Sequence, residues 1–368
     1  MTPRSRWSVV AGVVLAVVAV PLAPRLLPVG DTDVTAAVLL DAVRGSADVG
    51  HSGYVETRGA VQLPVGDDLG DVGELLAGTT RLRVWWQDED AWRVDRLLVA
   101  GEKDLVHDGP VTVAYDYEDA KAVVTEDPAI RLPRASDLLP PVLGRAVLED
   151  AADTDVRRLG PRRVAGVDAP GLRYTPPAGR STVDHVDVWV EPGSGLPLRV
   201  EVWDAGADDP AGPDVVSTFD DVEVARPADD RVGFPASRGV EVERADTLDV
   251  ADAAGRYAPF VLPRRLAGFA RRTEGEVAAA TFGSGVSRFL AVPLRSREAD
   301  PLRRQLRAAP GVVTGDYRTV ARSGVLTVLL TGADRDPGAA WLVAGTLSPD
   351  TLEDVARALL VLPYVDQR

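Results

Sequence analysis

The stretch that most constrains the fold is Thr79 to Val99, TTRLRVWWQDEDAWRVDRLLV, which reads as a β-hairpin. Leu82, Val84 and Trp86 share one strand face, and Arg81, Arg83 and Trp85 share the other. Gln87 to Asp90 supply a polar turn, after which Trp92, Val94 and Arg96 alternate with Arg93, Asp95 and Leu97. Three of the seven tryptophans fall within eight residues. An isolated hairpin is marginal in water, so this much aromatic area demands a large sheet beneath it. The apolar set Leu82, Val84, Trp86, Trp92 and Val94 is expected to face a concave, ligand-binding side. Arg81, Arg83 and Trp85 would face outward, with arginine stems laid on the indole.

The rest of the chain extends this pattern. Asp33 to Val43 has an amphipathic helical period, with Val34, Val38, Leu39, Ala42 and Val43 on one face and Asp31, Thr32 or Asp33 as the cap. Strands are expected at 52–63, 102–108, 110–117 and 121–125, and Tyr115 and Tyr117 are added to the apolar ligand-binding set. Ser136 to Glu149 reads as a helical segment broken by prolines, lying across the mouth of the sheet. Strands resume at 162–167, 171–174, 182–191, 198–203 and 215–224. Arg226 to Tyr257 has little periodicity and reads as a linker. A second unit follows. It has a hairpin over 277–294, a helix from about Pro301 to Ala308, strands at 312–321, 325–330 and 339–346, and a C-terminal helix after Ser348. Leu352, Val355, Ala356, Leu359 and Leu360 would form the buried face of that helix. The fold class is α+β: a large antiparallel sheet over 31–225, a linker over 226–257 and a small α+β domain over 258–368.

With 368 residues, two domains are the natural expectation. A net charge of −15 leaves no basic stripe for phosphates and excludes nucleic acid as the expected partner. The chain has no cysteine, hence no disulfide, no thiolate chemistry and no lipidated cysteine anchor. Lysine occurs only at Lys103 and Lys121, so 39 of the 41 basic residues are arginine. At the N-terminus, Arg4 and Arg6 precede an uncharged run from Trp7 to Pro24. That run reads as a signal anchor or signal peptide over residues 1–30, with the remainder outside the cytoplasm.

Several strings resemble a known family. They are His51-Ser52-Gly53-Tyr54-Val55-Glu56, the Arg83-Val84-Trp85-Trp86 hairpin strand, Arg162-Arg163-Val164-Ala165-Gly166, Val186-Asp187-Val188-Trp189-Val190-Glu191-Pro192 and Gly195-Leu196-Pro197-Leu198-Arg199-Val200. Together they look like actinobacterial envelope proteins of the LolA/RseB-like kind, over about residues 45–225. The resemblance implies a half-closed antiparallel barrel with helices over its open face and an apolar cavity for a lipid or lipoprotein acyl chain. It also implies a membrane protein partner, either an anti-sigma factor or a transporter. A tethered chain suits a sensor or accessory subunit better than a shuttle.

Catalytic signatures are sparse. His51, His107 and His185 lack any metal-ligand spacing, and no G-x-S-x-G elbow occurs. Gly283-Ser284-Gly285 lacks the lysine and helix of a phosphate loop and reads as a hairpin turn. Acidic clusters at Asp67-Asp68-Gly70-Asp71, Asp88-Glu89-Asp90 and Asp208-Asp209 with Asp214 lack EF-hand spacing and read as solvated turns. No cofactor, metal or catalytic residue is expected. The leading expectation is a non-enzymatic binding protein. The alternatives are a ligand-free envelope scaffold and a carboxylate-dependent hydrolase using Asp116 with Glu118 or Asp184 with Asp187.

Overall fold

The computed structural model describes residues 28–61, 71–128, 130–206, 212–234, 240–245, 254–256, 258, 260–309, 311–315, 317–332 and 340–362. The expected N-terminal anchor segment up to residue 27 and the acidic stretches 67–68 and 208–209 lie outside these residues.

The chain begins with α1 (Ala36–Arg44) and β1 (His51–Gly59), then α2 (Asp71–Leu76), β2 (Thr79–Asp88) and β3 (Ala91–Leu98). β4 (Gly101–Asp108), β5 (Val111–Asp116) and β6 (Lys121–Glu126) continue the meander. A covering segment with a 3-10 turn (Ala135–Leu138) and α3 (Pro140–Val147) comes next. β7 (Val156–Val164), β8 (Val167–Tyr174), β9 (Val183–Val190), β10 (Pro197–Asp204) and β11 (Val215–Glu223) complete the antiparallel strands. Then α4 (Asp229–Val232) leads to β12 (Glu241–Arg244). The twelve strands form one sheet in the order β12-β6-β5-β4-β3-β2-β1-β11-β10-β9-β8-β7. At one end β7 approaches β9 and β11 as well as β8, so the sheet curls there.

One face of this sheet is covered. Thr35, not an upstream Asp or Thr, caps α1, its Oγ1 accepting from the Val38 N–H at 3.4 Å. The helix thus starts after Thr35 and buries Ala36, Leu39, Leu40 and Val43, leaving Val38 exposed, contrary to the face read from the sequence. Asp137 holds the covering segment, accepting from Arg131 through two 2.7 Å bonds and from the Arg134 N–H at 2.8 Å. Pro140 and Pro141 open α3 rather than break it, because the first helical positions need no N–H partner.

Part of the expected linker belongs to the large sheet. Gln87 donates to the Pro227 carbonyl at 2.8 Å and to Asp229 at 2.9 Å, and α4 packs on β2 and β3. β12 then pairs with β6.

The second unit holds a two-stranded ribbon, β13 (Arg265–Leu266) with β14 (Phe269–Ala270). It also holds β15 (Ala280–Phe282), β16 (Phe289–Leu294), α5 (Ser296–Ala308), β17 (Val313–Gly315), β18 (Arg318–Ser323), β19 (Leu326–Thr331), β20 (Ala340–Gly345) and α6 (Pro349–Leu360). Its six strands are ordered β15-β16-β20-β19-β18-β17. α6 packs with Phe282, Phe289, Trp341 and Val343, whereas α5 packs with Ala321, Leu330 and Ala340. The alternation of β20 puts those two sets on opposite faces, so the unit is a helix–sheet–helix sandwich. Three expectations are corrected here. Pro301 lies inside α5, which begins at Ser296. The stretch 312–321 is split into a hairpin of β17 with β18. Leu360 is 46% exposed, one position past the buried row of α6.

The two units touch through an apolar patch, where Val286 and Val325 join the cluster of Leu148, Val183 and Val186, and through polar contacts around it. Glu149, just after α3, pairs with Arg272 at 2.8 Å and with Arg288. Asp150 accepts from Ser284 at 3.1 Å, Arg322 pairs with Asp204, and Thr182 donates to the Val325 carbonyl.

Gly195 in the β9–β10 turn is required by conformation and by space. Its φ is +76°, and a Cβ there would sit 2.6 Å from the Ala42 carbonyl oxygen of α1. Gly195→Ala is expected to lower unfolding stability by about 2 kcal/mol or more, read as a shifted urea midpoint. An unchanged midpoint would show that α1 does not rest on this turn.

Candidate functional site

Strand register decides which side chains meet. On the covered face, Trp86, Trp92, His107 and Thr112 form one cross-strand row. Val84, Val94, Leu105, Ala114 and Val123 form the next, and Leu82, Arg96, Lys103, Asp116 and Lys121 the third. The first row continues to His51 on β1, and its rings stack. His51 to Trp86 is 6.0 Å between centroids, Trp86 to Trp92 5.7 Å and Trp92 to His107 5.0 Å, all within 18° of parallel. The Trp86 indole donates to the Ala47 carbonyl at 3.0 Å.

Leu82, Val84, Trp86, Trp92 and Val94 are all buried in one cluster with Leu138, Leu139 and Phe219. They are the closed, inner part of these rows. Toward β4, β5 and β6 the cover thins to Pro133–Ala135 and Leu75 of α2, and a cleft of about 310 Å³ opens. Its wall is mostly apolar, formed by Leu75, Leu105, Ala114, Val123 and Ala135. Arg96, Lys103, Asp116 and Lys121 give it a polar rim, where Arg96 bonds Glu74 at 2.6 Å and Lys121 pairs with Glu243 at 2.7 Å. Both lysines of the chain lie on this rim. Beside it, Arg134 donates to Asp127 at 2.8 Å and to Thr112 at 3.1 Å, and the Thr112 hydroxyl meets His107 Nδ1 at 2.9 Å.

Tyr115 borders the cleft, but its strand row and Tyr117 lie on the other face. Tyr115 lies in the row Arg83, Asp95, Asp104, Tyr115 and Ala122, which strand alternation places on the outer side. There it meets Phe234, centroids 5.6 Å apart, and Tyr117 is 62% exposed. Parity within β5 groups the two tyrosines correctly; only the pairing of β5 with β4 shows that they stand opposite the Trp92 row.

The outer face carries ion pairs instead. Arg83 and Arg93 lie over the Trp85 ring at 4.8 and 5.4 Å, as the hairpin's arginine spacing implies. Asp95, Glu102 and Asp104 bring carboxylate oxygens within 4.8 Å of one another. Most of those oxygens are engaged: Arg83 donates to Asp95 at 2.7 Å and to Glu102 at 3.4 Å, and Arg93 donates to Asp95 at 2.6 Å and to Asp104 Oδ2 at 2.8 Å, while Asp104 Oδ1 is buried without a hydrogen-bond partner. The cluster is an ion network rather than a vacant cation cage. Burial, and then the nearby Asp95, push the Asp104 carboxyl well above the usual carboxylate range.

Of the carboxylates weighed for hydrolysis, Asp184 and Asp187 both approach His185, at 2.6 Å from Nδ1 and 3.8 Å from Nε2. Asp116 accepts the backbone N–H groups of Glu118 and Asp119, as in a turn. Asp187 is buried and paired with Arg173, while Asp184, of the opposite strand parity, is exposed. Two other clefts exist among the described residues. One, of about 540 Å³, lies between the units and is lined by Asp150, Tyr174, Arg180, Phe269 and Arg271 among others. The other, of about 590 Å³, is acidic and formed by Asp48, Asp88, Glu89, Asp90 and Asp108 with Arg226. The sequence reading missed the inter-unit cleft, because no local pattern brings Tyr174 beside Phe269.

Two titrations test this geometry. Burial lowers the His51 pKa to about 4 from 6.5, so the ring is neutral in the fold at neutral pH. Stability from neutral His51 is complete above about pH 6.5 and is lost as pH falls toward 4, because the unfolded chain takes up the proton first. His51→Phe, which keeps the stack, is expected to flatten that acid loss by about 3 kcal/mol in denaturant titrations. Asp104 has the opposite sign. Its raised pKa makes the folded state hold the proton longer, so its contribution declines as pH rises from about 4 through neutrality. Asp104→Asn is expected to remove that decline; a variant as pH-dependent as the parent would place the proton elsewhere.

No family model matches the chain, and no curated protein matches it. It is similar to solved structures. The Pseudomonas aeruginosa MucA/MucB complex matches at 19% identity and a TM-score of 0.48, over 87% of this chain and 96% of that one. A structure of MucB in complex with MucA(peri) matches at 18% identity and a TM-score of 0.49, over 90% and 99%. A LolA superfamily protein from Nitrosomonas europaea matches at 15% identity and a TM-score of 0.25, over 55% of this chain and 98% of that one. At such identities and scores the likeness assigns no function.

Proposed function

We propose that this chain is an extracytoplasmic binding protein that takes up an apolar chain, such as the acyl group of a lipid or lipoprotein, in the cleft over β4–β6. The observation that carries the reading is the cleft itself: about 310 Å³, mostly apolar inside, with Arg96, Lys103, Asp116 and Lys121 at its rim. That volume is at the lower end of small-molecule sites, which span about 300–1,000 Å³, and suits one slender chain with a polar end. Burial supplies the affinity. Each methylene removed from water contributes about 0.8 kcal/mol, so about eight would give ~6 kcal/mol before ordering costs.

The covering segment offers a route by which occupancy reaches the second unit. It caps the cleft with Pro133–Ala135, runs into α3, and ends on Glu149 and Asp150, which bond Arg272, Arg288 and Ser284 of the second unit. A chain wedged under the cover would press α3 against these contacts and alter how the units meet. In this reading the protein is a sensor or accessory subunit held at the membrane by its N-terminal segment. Its partner would be a membrane protein, either an anti-sigma factor or a transporter, contacted by the small unit.

Native mass spectrometry of protein purified without detergent from a bacterial envelope tests the reading. A bound mass that extracts into organic solvent is expected. Ala114→Trp, which fills the cleft from an exposed position, should weaken uptake of a fluorescent fatty-acid probe about 10-fold or more without changing the fold. A clean apo mass with no probe uptake would favour a scaffold acting through protein contacts.

A further inference from the structure

The large sheet ends at β12, and this end is unlike the rest. All other neighbouring strands of the sheet pair antiparallel; β12 alone runs parallel to its neighbour. Parallel pairing is slightly weaker per residue, and β12 has four residues against six in β6. All four are exposed, Val242 at 55%, so the strand contributes no core. It is held by the four-residue ladder of Glu241–Arg244 on Lys121–Val124, by the flanking bonds of the Glu241 N–H to the Ala120 carbonyl at 2.9 Å and the Ala245 N–H to the Val124 carbonyl at 3.1 Å, and by the Lys121–Glu243 pair. That ion pair joins side chains 44% and 49% exposed, where solvent screens the attraction.

A weakly held strand nevertheless occupies an important place. It shields the backbone edge of β6, which would otherwise template another chain. β6 also supplies Val123 and Lys121 to the cleft, so whatever lies on this edge borders the ligand site.

We infer that β12 is a removable stand-in for an extended segment of a partner protein, which docks on the β6 edge by displacing it. The chemistry of that segment follows from the resident strand. It alternates β-branched with acidic residues, as Val240, Glu241, Val242 and Glu243 do, and places a carboxylate opposite Lys121. An incoming strand running antiparallel can pair with all of Lys121–Glu126, which gives it more ladder bonds than the resident it replaces. Because Lys121 belongs both to this edge and to the cleft rim, docking and ligand uptake share a residue. The inference draws on the binding reading only for that last coupling.

Amide exchange and peptide binding on the full chain test it. The amides of Glu241, Glu243 and Ala245 should exchange ~100-fold faster than those of β4 and β5. A fluorescent, end-capped peptide copying residues 240–245 should bind Glu243→Pro, in which the resident strand is weakened, at least ~10-fold tighter than the parent, where the tethered strand competes at high effective concentration. Lys121→Glu in the same background should weaken that binding. Protection of β12 equal to that of β4, or no peptide binding to Glu243→Pro at ~1 mM, would overturn the inference. So would a dimer formed by exchange of β12, which would make the occupant a second copy. Fatty-acid probe binding measured on the same samples separates the two proposals: failure of the peptide with probe binding intact removes this one alone.

Discussion

Trp86 stacked on Trp92, nearly parallel and with 5.7 Å between ring centroids, sets the register on which the large sheet depends. Cross-strand aromatic pairs stabilise the pairing that brings them together. With this pair in place, Val84 meets Val94 and Leu82 meets Arg96, and the same rows run outward through β4, β5 and β6. A one-residue slip would send the apolar set to the arginine side. His51 and His107 extend the stack across four strands, which ties the pairing of β1 and β4 to that of the hairpin.

The two faces built by this register have different chemistry. The covered face is apolar at its centre and becomes polar toward β6, where the cover is thinnest and the cleft opens. The outer face is an alternation of arginine and carboxylate laid against Trp85, over which the segment from Arg226 to Phe234 is strapped. A chain with a net charge of −15 thus concentrates opposite charges where strands must pack and leaves its excess acid to turns. The acidic cleft at Asp48, Asp88, Glu89, Asp90 and Asp108 gathers such turns at one end of the sheet.

The units meet through ion pairs and hydrogen bonds set around an apolar patch, in which Val286, Val325 and Leu326 of the second unit join the core of the large one. The buried part favours a fixed seat, and the polar rim sets its geometry. Burial alone would raise the Glu149 pKa, but Arg272 and Arg288 together hold it below the usual glutamate range, so the contact persists at neutral pH.

Periodicity within single segments made much of this architecture legible from the chain alone. The Trp hairpin, most of the antiparallel strands, the α+β second unit and the proline-led C-terminal helix follow from spacing and caps, since these depend on neighbours in sequence; the expected strand 162–167 instead crosses the Ala165-Gly166 turn between β7 and β8. The apolar set Leu82, Val84, Trp86, Trp92 and Val94 was legible for the same reason, as one buried cluster. What depended on distant partners was not. Tyr115 and Tyr117 share a strand face with each other, but the β4–β5 register puts them opposite the Trp92 row. Val38 turned outward because α1 seats on Ala36, Leu39, Leu40 and Val43, a row chosen by packing against the sheet. Within a stretch without period, residues 226–234 became a strap and Glu241–Arg244 an edge strand, because Gln87 and the open edge of β6 bind their backbone. The cleft itself belongs wholly to tertiary structure: its walls come from α2, β4, β5, β6 and the covering segment, and no local pattern records the gap left where their side chains fail to meet.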